Sequence, residues 1–153
     1  MAFSKEIMEY WERFKKDKRI TASFVDAYSF GDNPELADEL LALVLAGKKT
    51  GTATLVIELE KEGLKMPETG DINIILDGKG NPVGVIQTTS VRIKPFNEVE
   101  EEFAYSEGEN DRTLESWRRE HWKYWTRVSK TLGFEMKDDL LVVCENFELI
   151  YSG

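Results

Sequence analysis

The chain has 153 residues, of which 41% are hydrophobic, 32% are charged and 11% are aromatic, and its formal net charge is -9. This length and apolar content predict one compact domain over residues 1–153 and exclude a disordered polar chain. The negative charge excludes a broad electrostatic grip on duplex DNA, because such binding depends on the neutralisation of phosphates.

The first part of the chain predicts two helices separated by an extended segment. Residues 4–16 begin with Ser4, a suitable N-cap, and predict an amphipathic helix whose apolar side carries Ile7, Met8, Tyr10, Trp11 and Phe14. Residues 23–30 are rich in β-favouring side chains and predict a short strand that ends in a turn at residues 31–34. A second helix is expected from Pro34 to about Ala46, with Asn33 as N-cap and Gly47 as its stop.

The segment from Thr52 to Glu62 fits two structures. Its first residues favour a strand, whereas the spacing of Val56 and Leu59 suits a helix, and we favour the helix. Residues 71–76 and 82–94 then predict the two strands of a hairpin, joined by a glycine-rich turn at 77–81.

The last part of the chain returns to helices before a final strand. Residues 97–105 predict a short acidic helix, and residues 106–112 predict a charged loop, called here the acidic loop. A long helix capped by Thr113 or Asp111 is expected to reach Leu132 and to end at Gly133. Residues 140–151 predict a long last strand, which completes a mixed α and β domain.

The single cysteine, Cys144, lies in an apolar run and cannot form a disulfide within the chain. We expect it to be a small buried residue rather than a nucleophile, in a protein of the reducing cytoplasm. No apolar stretch is long enough to span a membrane, and the start at Met1 lacks the pattern of a secretion signal.

Residues 46–53, the lysine turn, put unusual polarity directly after a leucine-rich helix. If Gly51 led into a helix, Lys49 and Thr52 would share one face. A lysine that loses its proton can act as a base beside a hydroxyl, and Lys48 next to it would favour that loss. A solvated lysine pair at a helix end explains the same residues.

Two further groups of residues can carry chemistry. Glu107, Glu109 and Asp111 in the acidic loop offer oxygen ligands or an acid/base carboxylate, although no calcium-loop pattern is present and a solvated acidic face is the plainer interpretation. The only histidine, His121, shares a helix face with aromatic residues and has no second histidine or cysteine beside it, so packing competes with a catalytic role. We therefore predict neither a metal nor a cofactor.

Several short segments, in their order along the chain, resemble the ASCH domain family, which is related to RNA-binding PUA domains. They are residues 47–53, 70–71, 86–89, 103–104, 107–109, 114–118 and 121. The resemblance extends from about Tyr28 to Tyr151. It implies an α+β fold, a PUA-like small β-barrel flanked by helices, with a cleft beside the lysine turn and a link to RNA or nucleoside substrates.

Compact bacterial members of this family are similar to amidohydrolases that remove the acetyl group from N4-acetylcytidine with a lysine, a threonine and a glutamate. Carried over by position, these roles fall on Lys49, Thr52 and Glu109. Glu107 is an alternative to Glu109, because the loop before Leu114 is slightly longer than in those members. The N-terminal helix also departs from the compact pattern.

The leading hypothesis is a hydrolase of N4-acetylcytidine or a similar amide, in which the substrate also meets Lys48, Glu107, Trp117, Arg118 and His121. The second is an RNA-binding module or a ribonuclease of single-stranded RNA, in which Lys48, Lys49, Arg92 and Arg118 would contact phosphate and a tryptophan would stack on a base. The third is a regulatory domain without catalysis. We expect a nucleoside or short single-stranded RNA as partner, and no duplex DNA or membrane.

Overall fold

A computed structural model describes residues 3–31 and 33–152; Met1, Ala2, Gly153 and Asp32 of the predicted turn lie outside the described residues. The helices are α1 (Lys5–Lys18), α2 (Pro34–Leu45), α3 (Val56–Glu62), α4 (Glu101–Glu107) and α5 (Leu114–Leu132), with a 3₁₀ helix at Phe96–Glu98. The strands are β1 (Asp26–Tyr28), β2 (Gly51–Leu55), β3 (Ile72–Leu76), β4 (Pro82–Pro95) and β5 (Leu141–Tyr151).

The strands form one five-stranded sheet in the order β1-β3-β4-β5-β2. Strands β1 and β3 run parallel, and the other neighbours are antiparallel. The long strand β4 pairs with both β3 and β5, and its register against β5 shifts between Val85 and Ile86 and again between Thr88 and Ser90. Such bulges bend a strand and increase its twist, and the sheet curls into an open half-barrel whose edges are β1 and β2. The α+β, PUA-like prediction is confirmed.

Helices cover the sheet because its strands send alternate side chains to opposite faces. On one face, Ile72 and Ile74 pack with α1, and on the other, Ile75 packs with α2. A third cluster joins β2 and β5 to α4 and α5. Of the five apolar residues predicted for the buried side of α1, Met8 is wrong, because it is 42% exposed.

The predicted helix starts are confirmed by their caps. The side chains of Ser4, Asn33 and Thr113 accept hydrogen bonds from backbone N–H groups of the first turns of α1, α2 and α5, at 3.2, 2.8 and 3.1 Å. Gly47 follows α2 with a φ of 77°, a left-handed conformation that a β-carbon disfavours. Cys144 is buried as predicted, and burial raises the pKa of its thiol to about 12.

The helix predicted for Thr52–Glu62 is wrong in its first part. Residues Gly51–Leu55 form β2, which pairs with β5, and the helix begins only at Val56. The backbone partners on β5 decide the matter, since the local sequence suits either structure. Thr52 therefore lies on a strand, and the prediction that it shares a helix face with Lys49 is wrong.

No helix in the described part of the chain has the length and apolar character needed to cross a membrane.

Candidate active site

The lysine turn is held by backbone hydrogen bonds on both sides. The N–H groups of Lys48 and Lys49 both donate to the carbonyl of Leu43, at 2.9 and 3.1 Å, so the chain folds back over the end of α2. The N–H of Thr50 then donates to the carbonyl of Ser106 at 2.7 Å. These bonds carry Lys49 from an exposed helix end into the interior, beside α4.

The acidic loop meets the lysine turn at Gly108. This residue follows α4 with a φ of 69°, and a β-carbon built on it would lie 2.2 Å from the carbonyl oxygen of Lys48. Arg112 adds a second connection, because its guanidinium donates to the carbonyls of Lys48 and Tyr105 at 3.2 and 3.1 Å. The two segments that carry the predicted residues thus pack backbone against backbone.

Lys49 is the centre of a buried ionic cluster and is only 2% exposed. Its Nζ donates to the Gly51 carbonyl at 2.7 Å, to Glu107 Oε1 at 3.1 Å and to Glu109 Oε2 at 2.8 Å. Burial alone lowers the pKa of the amine, but Glu107 and Glu109 outweigh it and raise that pKa. Lys49 is therefore an ammonium ion with its three N–H groups engaged.

Glu107 is the more deeply buried of the two carboxylates, and both of its oxygens are occupied. Oε1 accepts from Lys49, and Oε2 accepts from the indole N–H of Trp117 and lies 3.2 Å from His121 Nε2. Burial alone raises the pKa of Glu107, but Lys49 and then His121 outweigh it and hold that pKa well below its ordinary value. Glu107 is a charged anchor without a free oxygen.

Glu109 differs from Glu107 in access. Its Oε2 accepts from Lys49, its side chain is 24% exposed, and Oε1 makes no hydrogen bond with the residues that the structure describes. Burial, assisted by Glu107, outweighs the attraction of Lys49 and raises the pKa of this carboxyl. Glu109 is thus the carboxylate of the pair with an oxygen that can meet a ligand.

His121 completes the cluster from α5. Its Nδ1 lies 2.8 Å from the Trp117 carbonyl, and its ring stacks on the Trp117 indole with centroids 4.2 Å apart. Burial lowers the pKa of the imidazole, but Glu107 outweighs it and raises that pKa, so both ring nitrogens act as donors. His121 therefore packs against Trp117 and is also a charged member of the cluster, so the packing interpretation of this residue does not exclude a part in catalysis.

A cavity of about 460 Å³, called here the lysine cavity, opens onto this cluster. It lies where the sheet stays open, since Tyr28 of one edge strand and Thr52 and Thr54 of the other both border it. Its charged walls are mostly acidic, with Lys49, His121 and Arg127 set against the carboxylates of Glu39, Glu58, Glu107, Glu109 and Glu120. The cavity therefore favours a ligand without negative charge.

Thr52 borders the same cavity from β2. It stands directly opposite Glu145 of β5 in the register of the two strands. The Gly51 carbonyl that accepts from Lys49 Nζ belongs to the residue that precedes Thr52. The Thr52 hydroxyl makes no hydrogen bond within residues 3–31 and 33–152.

The structure brings Lys49, Thr52, Glu107, Glu109 and His121 to one cavity. The other predicted site residues do not line it. Lys48 is exposed, and Trp117 is 4% exposed behind Glu107. Arg118 donates to the backbone carbonyls of Asn97 and Val99, and Asp111 accepts from Thr113 and Ser116 at the start of α5.

Glu58 and Phe30 are among the cavity residues that were not predicted from the sequence. Glu58 is 7% exposed, accepts from the Leu55 N–H at 2.9 Å, and has a pKa raised by burial. Phe30 places its ring 5.5 Å from Lys49 Nζ. Glu58 had one usable signal, its place as the third residue of α3, where a glutamate can accept a hydrogen bond from the N-cap backbone, whereas Phe30 had none beyond its β-favouring neighbours.

Among the described residues, no three His, Cys, Asp or Glu side chains are placed to hold a metal ion.

Comparison with known proteins gives a consistent family. A profile of the ASCH domain matches residues 26–151. The chain is 33% identical to a protein from Enterococcus faecalis, over 95% of this chain and 88% of that one, with a TM-score of 0.89. It is 29% identical to an ASCH domain from Lactobacillus crispatus, over 99% and 98% of the two chains, with a TM-score of 0.88. No match was found among proteins of curated function.

Proposed function

This chain belongs to the ASCH domain family, and from that premise we propose that it hydrolyses N4-acetylcytidine or a related amide-bearing nucleoside. The observation that carries the proposal is the buried Lys49 amine, held by two carboxylates at the wall of a cavity that Thr52 also borders. A buried, charged cluster beside a cavity is costly to maintain and is typical of sites that perform acid/base chemistry.

The charge of Lys49 determines how the proton moves. In the resting site the amine is protonated and cannot accept the Thr52 proton directly. It can do so once it passes a proton to Glu109, whose Oε2 lies 2.8 Å away. When substrate displaces water, the neutral amine and carboxylic acid become more favourable relative to the ion pair, because a dry cavity disfavours charge.

The reaction then follows in two stages. The Thr52 oxygen attacks the amide carbonyl carbon while Lys49 takes its proton, and the proton held by Glu109 goes to the leaving nitrogen as the carbon–nitrogen bond breaks. Water next attacks the acyl-Thr52 ester and gives one proton to Glu109, while Lys49 returns the proton that it took to the Thr52 oxygen as the carbon–oxygen bond breaks and acetic acid leaves. Glu109 then passes its proton back to Lys49, which restores the resting ion pair, and the acetic acid ionises in solvent. Glu107 keeps the lysine in position throughout.

A nucleoside fits the cavity better than an RNA strand. Its walls carry five carboxylates against three basic side chains, an excess of negative charge that would repel phosphate. Of the four basic residues of the RNA hypothesis, only Lys49 lines the cavity; Lys48 and Arg92 are exposed elsewhere, and Arg118 is bound to backbone carbonyls. RNA binding or cleavage, and a regulatory role without catalysis, are the alternatives.

The test measures acetate release from N4-acetylcytidine by the purified chain. Thr52→Val keeps the β-branched shape but removes the hydroxyl, and we expect it to lower kcat by at least about a thousandfold. Thr89→Val is the matched control, since Thr89 lies exposed on β4 outside the cavity. Wild-type release no faster than the uncatalysed reaction would refute the substrate, and cleavage of short single-stranded RNA instead would favour the alternative.

A further inference from the structure

A second cavity of about 430 Å³, called here the acidic chamber, adjoins the lysine cavity. The two share Tyr28, Thr52 and Thr54 as a common wall. The volume lies within the range of about 300 to 1,000 Å³ that is usual for small-molecule sites. The sequence reasoning assigned nothing to this chamber, and the proposed hydrolysis uses only Thr52 from its walls.

Asn73 is the observation that points to a ligand. It is 7% exposed and borders the chamber from β3, yet its side-chain amide makes no hydrogen bond within the described ranges 3–31 and 33–152. Its neighbours Ile72 and Ile74 face the opposite side of the sheet and pack with α1. The amide therefore has donor and acceptor atoms with which a ligand in the chamber can form hydrogen bonds.

Glu145 faces the same space from β5. It is 7% exposed, and its Oε2 accepts from the Thr88 hydroxyl at 2.6 Å. Its Oε1 has no hydrogen-bond partner in the described part of the chain. Glu145 therefore retains an acceptor that water or a ligand must meet.

Two further carboxylates give the chamber its charge. Asp26 and Asp71 border it, and each uses one oxygen to cap a neighbouring backbone N–H, at 2.8 and 2.9 Å. The only basic residue among the lining side chains is Lys65, which is exposed and paired with Glu68. The chamber thus has an excess of negative charge and of acceptor oxygens.

The chamber is also lined by apolar side chains, those of Val25, Leu59, Leu64 and Pro67. Such a lining suits an apolar body that carries a polar head. The phenol ring of Tyr28 adds an aromatic surface, on which a flat cation can stack. A metal ion is a poorer fit, because the described carboxylates do not converge in a group of three.

We propose that the acidic chamber binds a planar organic cation, an amidinium or guanidinium group, attached to an apolar body. Its N–H groups lie in one plane and match carboxylate oxygens two at a time, which suits Glu145 together with Asp26 or Asp71. Asn73 contributes its amide oxygen to the same group. This inference concerns binding alone and does not depend on the proposed hydrolysis.

The experiment uses three compounds of nearly the same shape: benzamidine, which is cationic, benzamide, which is neutral, and benzoate, which is anionic. Each is titrated into the wild-type chain by calorimetry and by NMR. We expect benzamidine to bind at least about tenfold more tightly than benzamide, which corresponds to about 1.4 kcal/mol, and benzoate not to bind. Equal binding of the three, or no binding of benzamidine, overturns the proposal.

Variants then locate the site. Glu145→Gln keeps the shape of the side chain but removes its charge, and Asn73→Ala removes the unpaired amide; each should weaken benzamidine binding at least about tenfold. Glu109→Gln changes a carboxylate of the lysine cavity that does not border the chamber, and it should leave benzamidine affinity unchanged. If Glu145→Gln fails to fold, Asn73→Ala and the comparison of benzamidine with benzamide and benzoate still test the proposal. Benzamidine affinity that survives Asn73→Ala, or that falls in Glu109→Gln, refutes the assignment.

Discussion

Replacement of Lys49 by methionine tests the buried cluster most directly. The substitution keeps most of the apolar stem but removes the ammonium group, which makes three hydrogen bonds and is the largest influence that lowers the pKa of Glu107. Glu107, 2% exposed, would keep its charge with only His121 and Trp117 as partners.

The magnitude follows from burial. Removal of one partner from a buried ion pair costs about 3–5 kcal/mol, whereas an exposed pair contributes at most about 1 kcal/mol. A loss of this size is a large part of the total stability of a small domain, about 5–15 kcal/mol. We therefore expect Lys49→Met to lower the free energy of unfolding at pH 7 by about 3–5 kcal/mol.

The pH dependence gives a second readout with a definite sign. The pKa of Glu107 is lowered on folding, so its contribution to stability is complete above the unfolded pKa of about 4.3 and is lost as the pH falls through the folded pKa. In Lys49→Met the carboxyl can protonate at a higher pH, which relieves the unpaired charge. The difference between wild type and variant should therefore narrow as the pH falls from 7 to 4.

The assay is urea unfolding followed by far-UV circular dichroism at both pH values, with equal m-values as the check on two-state behaviour. Lys48→Met is the matched control, because Lys48 is exposed and outside the cavity, and its effect should stay within about 0.5 kcal/mol. A loss below about 1 kcal/mol for Lys49→Met, or a loss that is the same at pH 7 and pH 4, would refute the buried-cluster reasoning.

Three further predictions follow from the same site. Gly108→Ala should lower both stability and hydrolysis, because its β-carbon would meet the Lys48 carbonyl at 2.2 Å; a melting temperature and kcat equal to those of wild type would contradict this. On the acid side of the pH profile, kcat/KM should fall with an apparent pKa above about 4.3, because burial raises the pKa of Glu109 and its carboxylate is the active form. A fall with a lower apparent pKa would count against the role of Glu109. His121→Gln should lower the free energy of unfolding more at pH 6 than at pH 9. The pKa of His121 is raised beside Glu107, so the charged imidazole stabilises the fold fully below the unfolded pKa of about 6.5, and this contribution is lost as the pH rises through the folded pKa. Urea unfolding at the two pH values tests this, and a larger loss at pH 9 would contradict it.

Local sequence patterns predicted most of the helices and strands, and the reasons are local. The caps at Ser4, Asn33 and Thr113 and the left-handed Gly47 depend on residues within a few positions of one another. The hairpin of β3 and β4 could also be predicted from the sequence, because its turn is short and its flanking residues favour strands. Met8 was misassigned because a helix periodicity does not reveal how wide the buried stripe is.

The segment from Gly51 to Leu55 could not be settled in this way. Its residues suit either structure, and the choice is made by β5, which lies about ninety positions later in the chain and supplies the backbone partners. The position of Thr52 depends on that pairing. For the same reason the acidic chamber could not be foreseen, because Asn73 and Glu145 come from strands far apart in sequence.

The sequence by itself determined most of the helices and strands and the candidate residues, Lys49 and the two glutamates among them, since each rests on short spacing or an ordered resemblance. The tertiary structure decided the environment of each of these residues. It buried Lys49, enclosed Glu107 between Lys49 and His121, and left an oxygen of Glu109 accessible. The physical reason is that burial and charge pairing act across space, so a lysine beside a helix end is solvated or enclosed according to what a loop about sixty residues away brings to it.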